Sequence, residues 1–450
     1  MYAIVSMLEG GIMDILEKLI ADFQYRPLPI VSPRSATMSP VGNMASVVIG
    51  MRRSGKTYFL FQEMHRLIKS GVERNRILYV NFEDDRLQPP GHDILDRTLE
   101  TFYRMTPEAR SEGAYLFLDE IQEAPDWSRF ARRVLDTEAA RLYISGSSAK
   151  MLSKEVATEF RGRGFAIELL PFSYEEALLF ADIDVPDSIP GSRQRSRLEA
   201  AFTDYLRMGG FPDVQLLQET ERIQVLQDYV ELVLFRDIIE RHQVRNLHAV
   251  QYFSRALLQS SGSLASVNRL FNDLRSQGVA VGRDTLYELL DHFVDAYLLF
   301  TVPIFSRSLR VRRANPRKIY AIDPGLFYAM SPAGVSNRGA RLENAVYIEL
   351  RRRMNASGEG TISYYLTKAG HEVDFVVGDT ATGNASQLLQ VCADMSHSST
   401  RRREVLALEE AMNELGLHEA VLITMFDDET IPVEGGVIRA VPAWSWMLRV

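Results

Sequence analysis

A strand that runs into Gly50-Met51-Arg52-Arg53-Ser54-Gly55-Lys56-Thr57 and leaves it as a helix gives the chain few folds to choose from. Val47-Val48-Ile49 supplies the strand, and the helical pattern opens at about Lys56. Glycines at the two ends let backbone N–H groups curl around an anion, and the helix N-terminus adds the positive end of its dipole. The spacing G-x-x-x-x-G-K-[ST] is that of a loop that cradles phosphates. Such a loop sits on a parallel sheet covered on both faces, and the flanking sequence predicts one. Apolar strands at Ser46–Ile49, Ile77–Phe82, Tyr115–Leu118, Leu142–Ile144 and Phe165–Leu169 alternate with helical stretches such as 56–69 and 127–139.

The loop defines a first set of candidate residues: Gly50, Ser54, Gly55, Lys56, Thr57 and the adjoining Tyr58. Lys56 would reach the β and γ phosphates of ATP, and the Thr57 hydroxyl would ligate Mg²⁺. Arg52 and Arg53 are expected to point outward as surface residues. A second set follows at Tyr115-Leu116-Phe117-Leu118-Asp119-Glu120, an apolar strand ending in two carboxylates. Asp119 would hold Mg²⁺ directly or through water, and Glu120 would act as general base on the attacking water. Ser145-Gly146-Ser147-Ser148 follows another strand and places hydroxyls where a γ-phosphate sensor would lie. Ser147 is the preferred one, against the alternative of a plain Ser/Gly turn. In Arg161-Gly162-Arg163 either arginine, Arg163 foremost, could stabilise transition-state charge in cis or across a subunit boundary. The alternative is a solvated arginine, and an oligomer is left open.

Length and composition bound the rest. A chain of 450 residues implies two to four domains, and 46% hydrophobic with 24% charged residues describes a globular protein. A net charge of −8 argues against a nucleic-acid coat, though not against a local basic patch. One cysteine, Cys392, rules out an internal disulfide and a Cys-rich zinc site. No apolar run reaches the roughly 18 residues of a membrane span, and no signal pattern opens the chain, so a cytoplasmic location is expected. Ile12, Ile15, Leu16, Leu19, Ile20 and Phe23 mark an amphipathic helix over 11–25, and prolines from Pro27 to Pro40 then break regular structure.

Taken together, Gly50–Thr57, Leu118-Asp119-Glu120-Ile121-Gln122, Ser145–Ser148, Arg161–Arg163, Leu169-Leu170-Pro171-Phe172-Ser173 and Gly209-Gly210-Phe211-Pro212 resemble a large prokaryotic group of AAA-like ATPases with a C-terminal domain of unknown function. The resemblance runs from about residue 40 to the end. It implies a P-loop NTPase core of α/β class, a helical lid, a winged helix and a restriction-endonuclease-like α/β domain. The corresponding boundaries are 1–40 for the lead-in, 41–173 for the core, 174–260 for the lid, 261–335 for the winged helix and 336–450 for the last domain.

The residues of the later segments fit this outline. Helix Val267–Ser276, a turn with Gly278 and Gly282, helix Asp284–Tyr297 and a hairpin at 301–305 and 318–322 read as a winged helix. Arg307, Arg310, Arg312, Arg313, Arg317 and Lys318 form a basic stretch that could meet a DNA backbone. Glu288, Asp291 and Asp295 make the second helix a poor major-groove surface, which favours packing on the ATPase or on a protein partner.

The last segment predicts a helix at 341–354, strands at 361–366, 372–377 and 387–392, a helix at 403–415, and strands at 420–425 and 437–440. It resembles a PD-(D/E)XK nuclease fold in which Glu343 and Asp374 are a candidate metal pair. Gln390-Val391-Cys392 stands where Glu-x-Lys belongs, so the nuclease site is expected to be degenerate. Three functions are open: an ATPase working on a DNA or protein partner, an ATP-gated switch with little turnover, and an ATP-dependent nuclease.

Overall fold

A computed structural model of the chain describes residues 15–38, 44–147, 162–331, 337–358 and 360–449. The chain divides into two compact units, Met1–Leu169 and Leu170–Val450.

The first unit is built on five parallel strands. They are β1 (Ala45–Ile49), β2 (Ile77–Asn81), β3 (Ala114–Asp119), β4 (Ala140–Gly146) and β5 (Gly164–Glu168). Their spatial order is β2-β3-β4-β1-β5, with β1 between β4 and β5. β1 is buried at all five positions because side chains of both pleat directions meet helices. Val48, Phe117, Tyr143 and Ile167 share one core with Phe59, Leu60, Met64 and Leu67 of helix Lys56–Lys69. Phe117 and Tyr143 stack there with centroids 4.3 Å apart. Burying one such aromatic side chain contributes roughly 1.5–3 kcal/mol. Val47, Leu116, Leu118 and Ile144 are also buried, from the intervening positions of the same strands. The predicted strands are all present; helices Ile94–Met105 and Pro107–Glu112 join them.

Residues 26–38 form no helix or strand, and they are anchored. The Gln62 side chain accepts from the Arg34 N–H at 2.8 Å and donates to the Arg34 carbonyl at 3.2 Å.

The second unit begins with helices Tyr174–Phe180, Ser192–Met208, Glu219–Val233 and Leu247–Gln259. Ser173 and Glu176 close a capping box on the first of them. Three short strands follow, β6 (Ser263–Ala265), β7 (Leu299–Val302) and β8 (Arg317–Ala321), in the antiparallel order β6-β8-β7. Helices Val267–Ser276 and Arg283–Asp295 lie between β6 and β7. The expected simple hairpin is corrected: helix Leu309–Ala314 separates β7 from β8, capped by the Ser308 hydroxyl.

The chain then enters helix Arg338–Ser357 and a mixed sheet of β9 (Thr361–Leu366), β10 (Glu372–Asp379), β11 (Asn384–Cys392), β12 (Glu419–Thr424), β13 (Glu429–Val433) and β14 (Gly436–Pro442). Its order is β13-β14-β12-β11-β10-β9. Helix Ser398–Leu415 covers it through Ala407, Leu408, Ala411 and Met412.

The Gly-Gly-Phe-Pro string has a packing cause. The Gly210 N–H donates to Asp323 Oδ2 at 2.6 Å, and its carbonyl accepts from the Phe172 N–H at 2.7 Å. A Cβ on Gly210 would lie 2.1 Å from the Phe172 carbonyl oxygen, and one on Gly209 1.9 Å from Asp323 Oδ1. Gly325 meets the Met208 carbonyl in the same way, at 2.2 Å. Three stretches distant in sequence therefore cross where only glycine fits.

Candidate functional site

The P-loop leaves β1 at its C-terminal end and turns on Gly55, whose φ of 97° favours glycine. Gly50 lies against β5's exit: a Cβ there would approach the Leu169 carbonyl oxygen to 2.3 Å. The Arg34 guanidinium donates to the Ser54 carbonyl at 3.0 Å, fixing the far side of the loop. Ser54 Oγ is fully buried and has no hydrogen-bond partner among the described residues.

Lys56 and Thr57 open the helix and face β3. The Lys56 ammonium lies 3.1 Å from Glu120 Oε1 and donates to the Gly50 and Met51 carbonyls at 3.2 and 3.3 Å. Thr57 Oγ1 donates to Asp119 Oδ2 at 2.8 Å. Two more hydroxyls share that carboxylate: Tyr79 donates to Oδ2 at 3.0 Å, and Ser145 donates to Oδ1. Burial, followed by the neighbouring Glu120 charge, raises the Asp119 pKa, against the three hydroxyl donors. A divalent cation at Asp119 would reverse that balance.

Glu120 sits one residue past β3 with φ 50° and ψ 47°, a left-handed conformation rare for a non-glycine residue. Its N–H donates to Ser145 Oγ at 3.0 Å, and the Gln122 amide donates to its Oε2 at 2.6 Å. Burial alone would raise the Glu120 carboxyl. The Lys56 charge, the Gln122 hydrogen bond and the Arg52 charge outweigh it and set the pKa below the usual value. Ser147, at the exit of β4, is buried and accepts from the Gln122 amide at 3.4 Å. Lys56, Thr57, Asp119, Glu120 and Ser147 thus gather at the C-terminal ends of β1, β3 and β4. Tyr58 stands exposed on the first helical turn, its ring edge-on to Phe61.

Two expectations are corrected here. Arg163 precedes β5, and its carbonyl accepts from the Ala45 N–H that opens β1. It is therefore at the opposite end of a parallel sheet from the loop, about 15 Å along the strands. There it pairs with Asp136 at 2.7 Å and cannot serve as a finger to its own loop. Arg52 is also no free surface arginine, since it pairs with Glu83 just beyond β2. Arg161 and Ser148 lie outside the described residues.

Sequence reading missed Tyr79, Gln122 and Arg34. Gln122 stood within the quoted string, but its partners were invisible there. Tyr79 carried a weak signal, a hydroxyl-bearing residue in an apolar strand whose neighbour Asn81 lies beside Asp119.

The basic stretch and the supposed metal pair prove to be connected. Arg307, Arg310, Arg313 and Arg317 are exposed, whereas Arg312 is half-buried and donates to Thr380 Oγ1 at 2.6 Å. Lys318 leaves the patch altogether: it is buried, with Asp374, Glu372 and Glu343 at 2.7, 2.7 and 3.0 Å. Burial and the Asp374 charge push Glu343 up to about 8, against Lys318. Gln390 accepts from the Asp374 N–H at 2.9 Å and donates to Glu404 at 2.6 Å. Among the described residues no group of three His, Cys, Asp or Glu is arranged to hold a metal ion, and no helix is long and apolar enough to cross a membrane.

Sheet and loop together define a P-loop NTPase. Family models match an AAA domain at residues 42–178, a domain of unknown function (DUF8612) at 199–338 and a domain of unknown function (DUF4143) at 338–446. The chain is similar to an uncharacterized protein of Methanocaldococcus jannaschii, 32% identical over 98% of this chain and 97% of that one. A second relative, from Haemophilus influenzae, is 26% identical over 90% of this chain and 94% of its own length. The chain belongs to this family of AAA-type, ATPase-like proteins with a C-terminal domain of unknown function.

Among solved structures it is similar to the Aeropyrum pernix Orc1 protein in complex with DNA, at 13% identity and TM-score 0.31 over 72% of this chain and 91% of that one. The Thermotoga maritima RuvB Holliday junction branch migration motor matches at 17% identity and TM-score 0.28, over 58% and 82%.

Proposed function

We propose that this chain binds ATP with Mg²⁺ at the P-loop and hydrolyses it, using the nucleotide state to act on a DNA or protein partner. The observation that carries the reading is the gathering of Lys56, Thr57, Asp119 and Glu120 around a glycine-bounded anion cradle with a Ser54 hydroxyl that has no partner among the described residues. The loop amides and Ser54 would bind the phosphates, with Lys56 moving from Glu120 to the β and γ oxygens. Thr57 and Asp119 would hold Mg²⁺, which neutralises developing charge on the transferred phosphoryl group. Glu120, released from Lys56, would accept the proton of the attacking water, and Ser147 with Gln122 would position it.

Phosphate release in the presence of ATP and Mg²⁺ tests this: a steady rate abolished in Lys56→Ala supports it. ATP binding with no turnover, in the presence and absence of duplex DNA, would instead support a nucleotide-gated switch. The Lys56–Glu120 pair gives that second reading its footing, because it engages the base until a triphosphate exchanges partners with it. A partner is sought on the exposed Arg307, Arg310, Arg313 and Arg317, although Glu288 and Asp291 turn an acidic face outward on helix Arg283–Asp295.

A further inference from the structure

The Lys318 ammonium lies among three carboxylates, donating to Asp374 and Glu343 and pairing with Glu372. Asp374 Oδ1 and Glu372 Oε1 lie at 2.7 Å and Glu343 Oε1 at 3.0 Å, around a side chain that is only 1% exposed. The elements aim all four groups at one point. Glu372 and Asp374 both come from the start of β10, where its pairing with β9 shifts register between Val373 and Val376, and both reach the Lys318 ammonium. Lys318 and Tyr320 share a face of β8, and the Tyr320 hydroxyl donates to the same Glu343 oxygen at 2.7 Å. Glu343 reaches in from the second turn of helix Arg338–Ser357. The remaining oxygen of Asp374 is taken by the Val391 N–H at 2.9 Å. As they stand around the ammonium the three carboxylates are not arranged to hold a metal ion, but carboxylate oxygens are the ligand type a hard cation takes, at distances somewhat shorter than these. Here the chain fills the centre with its own cation.

We propose that Glu343, Glu372 and Asp374 form a cation site whose resident cation is the Lys318 ammonium. The site takes no divalent metal while Lys318 is in place, and it accepts one hard divalent ion when the ammonium is removed. Lys318 thereby ties β8 to β10 and to helix Arg338–Ser357 by a bond a metal would otherwise supply, and the module has no vacancy for metal-dependent chemistry.

The test uses the full chain without nucleotide and MnCl₂ as the probe, with bound Mn²⁺ counted by electron paramagnetic resonance and stability followed by thermal unfolding. Wild type should show no thermal shift from an ion at this site. Lys318→Met should unfold at lower temperature, bind one more Mn²⁺ per chain than wild type, and recover stability with that ion. Adding Asp374→Asn should remove the extra ion. Any Mn²⁺ near Asp119 contributes equally to each chain, so only the difference is read.

Wild type holding an ion that Asp374→Asn removes would overturn the proposal, as would a folded Lys318→Met chain with no extra ion. Should Lys318→Met not fold even with Mn²⁺, the chain carrying Lys318→Met, Glu343→Gln, Glu372→Gln and Asp374→Asn decides. Recovery of folded protein by circular dichroism shows that charge compensation was the role of Lys318, and failure to recover refutes it.

Discussion

Lys56 and Lys318 are both buried lysines set among carboxylates, in a chain where lysines are few and arginines many. Their surroundings differ in how much is left to satisfy. Lys56 holds one carboxylate at 3.1 Å and two loop carbonyls beyond it, next to a hydroxyl with no partner among the described residues. Lys318 holds three carboxylates at 3.0 Å or less, and its neighbours' oxygens are engaged elsewhere as well. In the proposed mechanism the first arrangement exchanges its carboxylate for a phosphate; the second has three carboxylates to lose by any exchange. A lysine waiting for a ligand and a lysine acting as one are thus told apart by what surrounds them, not by burial.

The sharpest way to break this contrast is to remove each ammonium. Lys318→Met leaves the buried Asp374 and the partly buried Glu343 and Glu372 without their cation and should cost about 3–5 kcal/mol of stability, read by denaturant unfolding. Lys56→Ala should cost far less stability while lowering the rate of phosphate release by about 10²–10³-fold. Equal losses of stability in the two variants would erase the distinction.

A pH series adds a milder test on Asp323, the carboxylate at the glycine crossing. Burial raises its pKa to about 6, opposed by the N–H donors of Gly210 and Leu326. The folded state then keeps this proton to higher pH than the unfolded chain does. Its stability contribution is full below pH ~4 and is lost as pH rises through about 6, by on the order of 1–3 kcal/mol. Unfolding midpoints across that range should fall, and Asp323→Asn should flatten the slope. The smallest effect is expected at Ser54. Because its hydroxyl has no partner among the described residues, Ser54→Ala should leave stability within about 0.5 kcal/mol and weaken ATP binding by roughly 1 kcal/mol in calorimetry.

The first unit was legible because its signals are local. A strand, a glycine loop and a helix start occupy adjacent positions, and Asp119 ends an apolar run, so periodicity and spacing placed Lys56, Thr57, Asp119 and Glu120 without knowledge of contacts. Tyr79, Arg34 and the Lys56–Glu120 pairing depend on strand order and on a segment without helix or strand that has no period to read. The role of Arg163 toward its own loop is excluded because sequence proximity to a strand does not say which end of the sheet a residue occupies. Lys318 was misread for a related reason: it follows Arg317 in a charged run, but in a strand the next residue faces the other way. Only Arg317, at the first position of β8, is exposed; Ile319 and Ala321 on its face are buried, Lys318 on the other face lies in an ion cluster, and a run of like charges conceals that change.

The crossing of Phe172, Gly210 and Gly325 has a mechanical consequence. Backbone there meets backbone and the Asp323 carboxylate with no side chain between, so even a methyl group has no room. Such a weld leaves helices Ser192–Met208 and Pro324–Met330 no room to slide past each other by small steps. The connection 182–191, with Ile189 exposed among polar and proline residues, carries no comparable steric constraint.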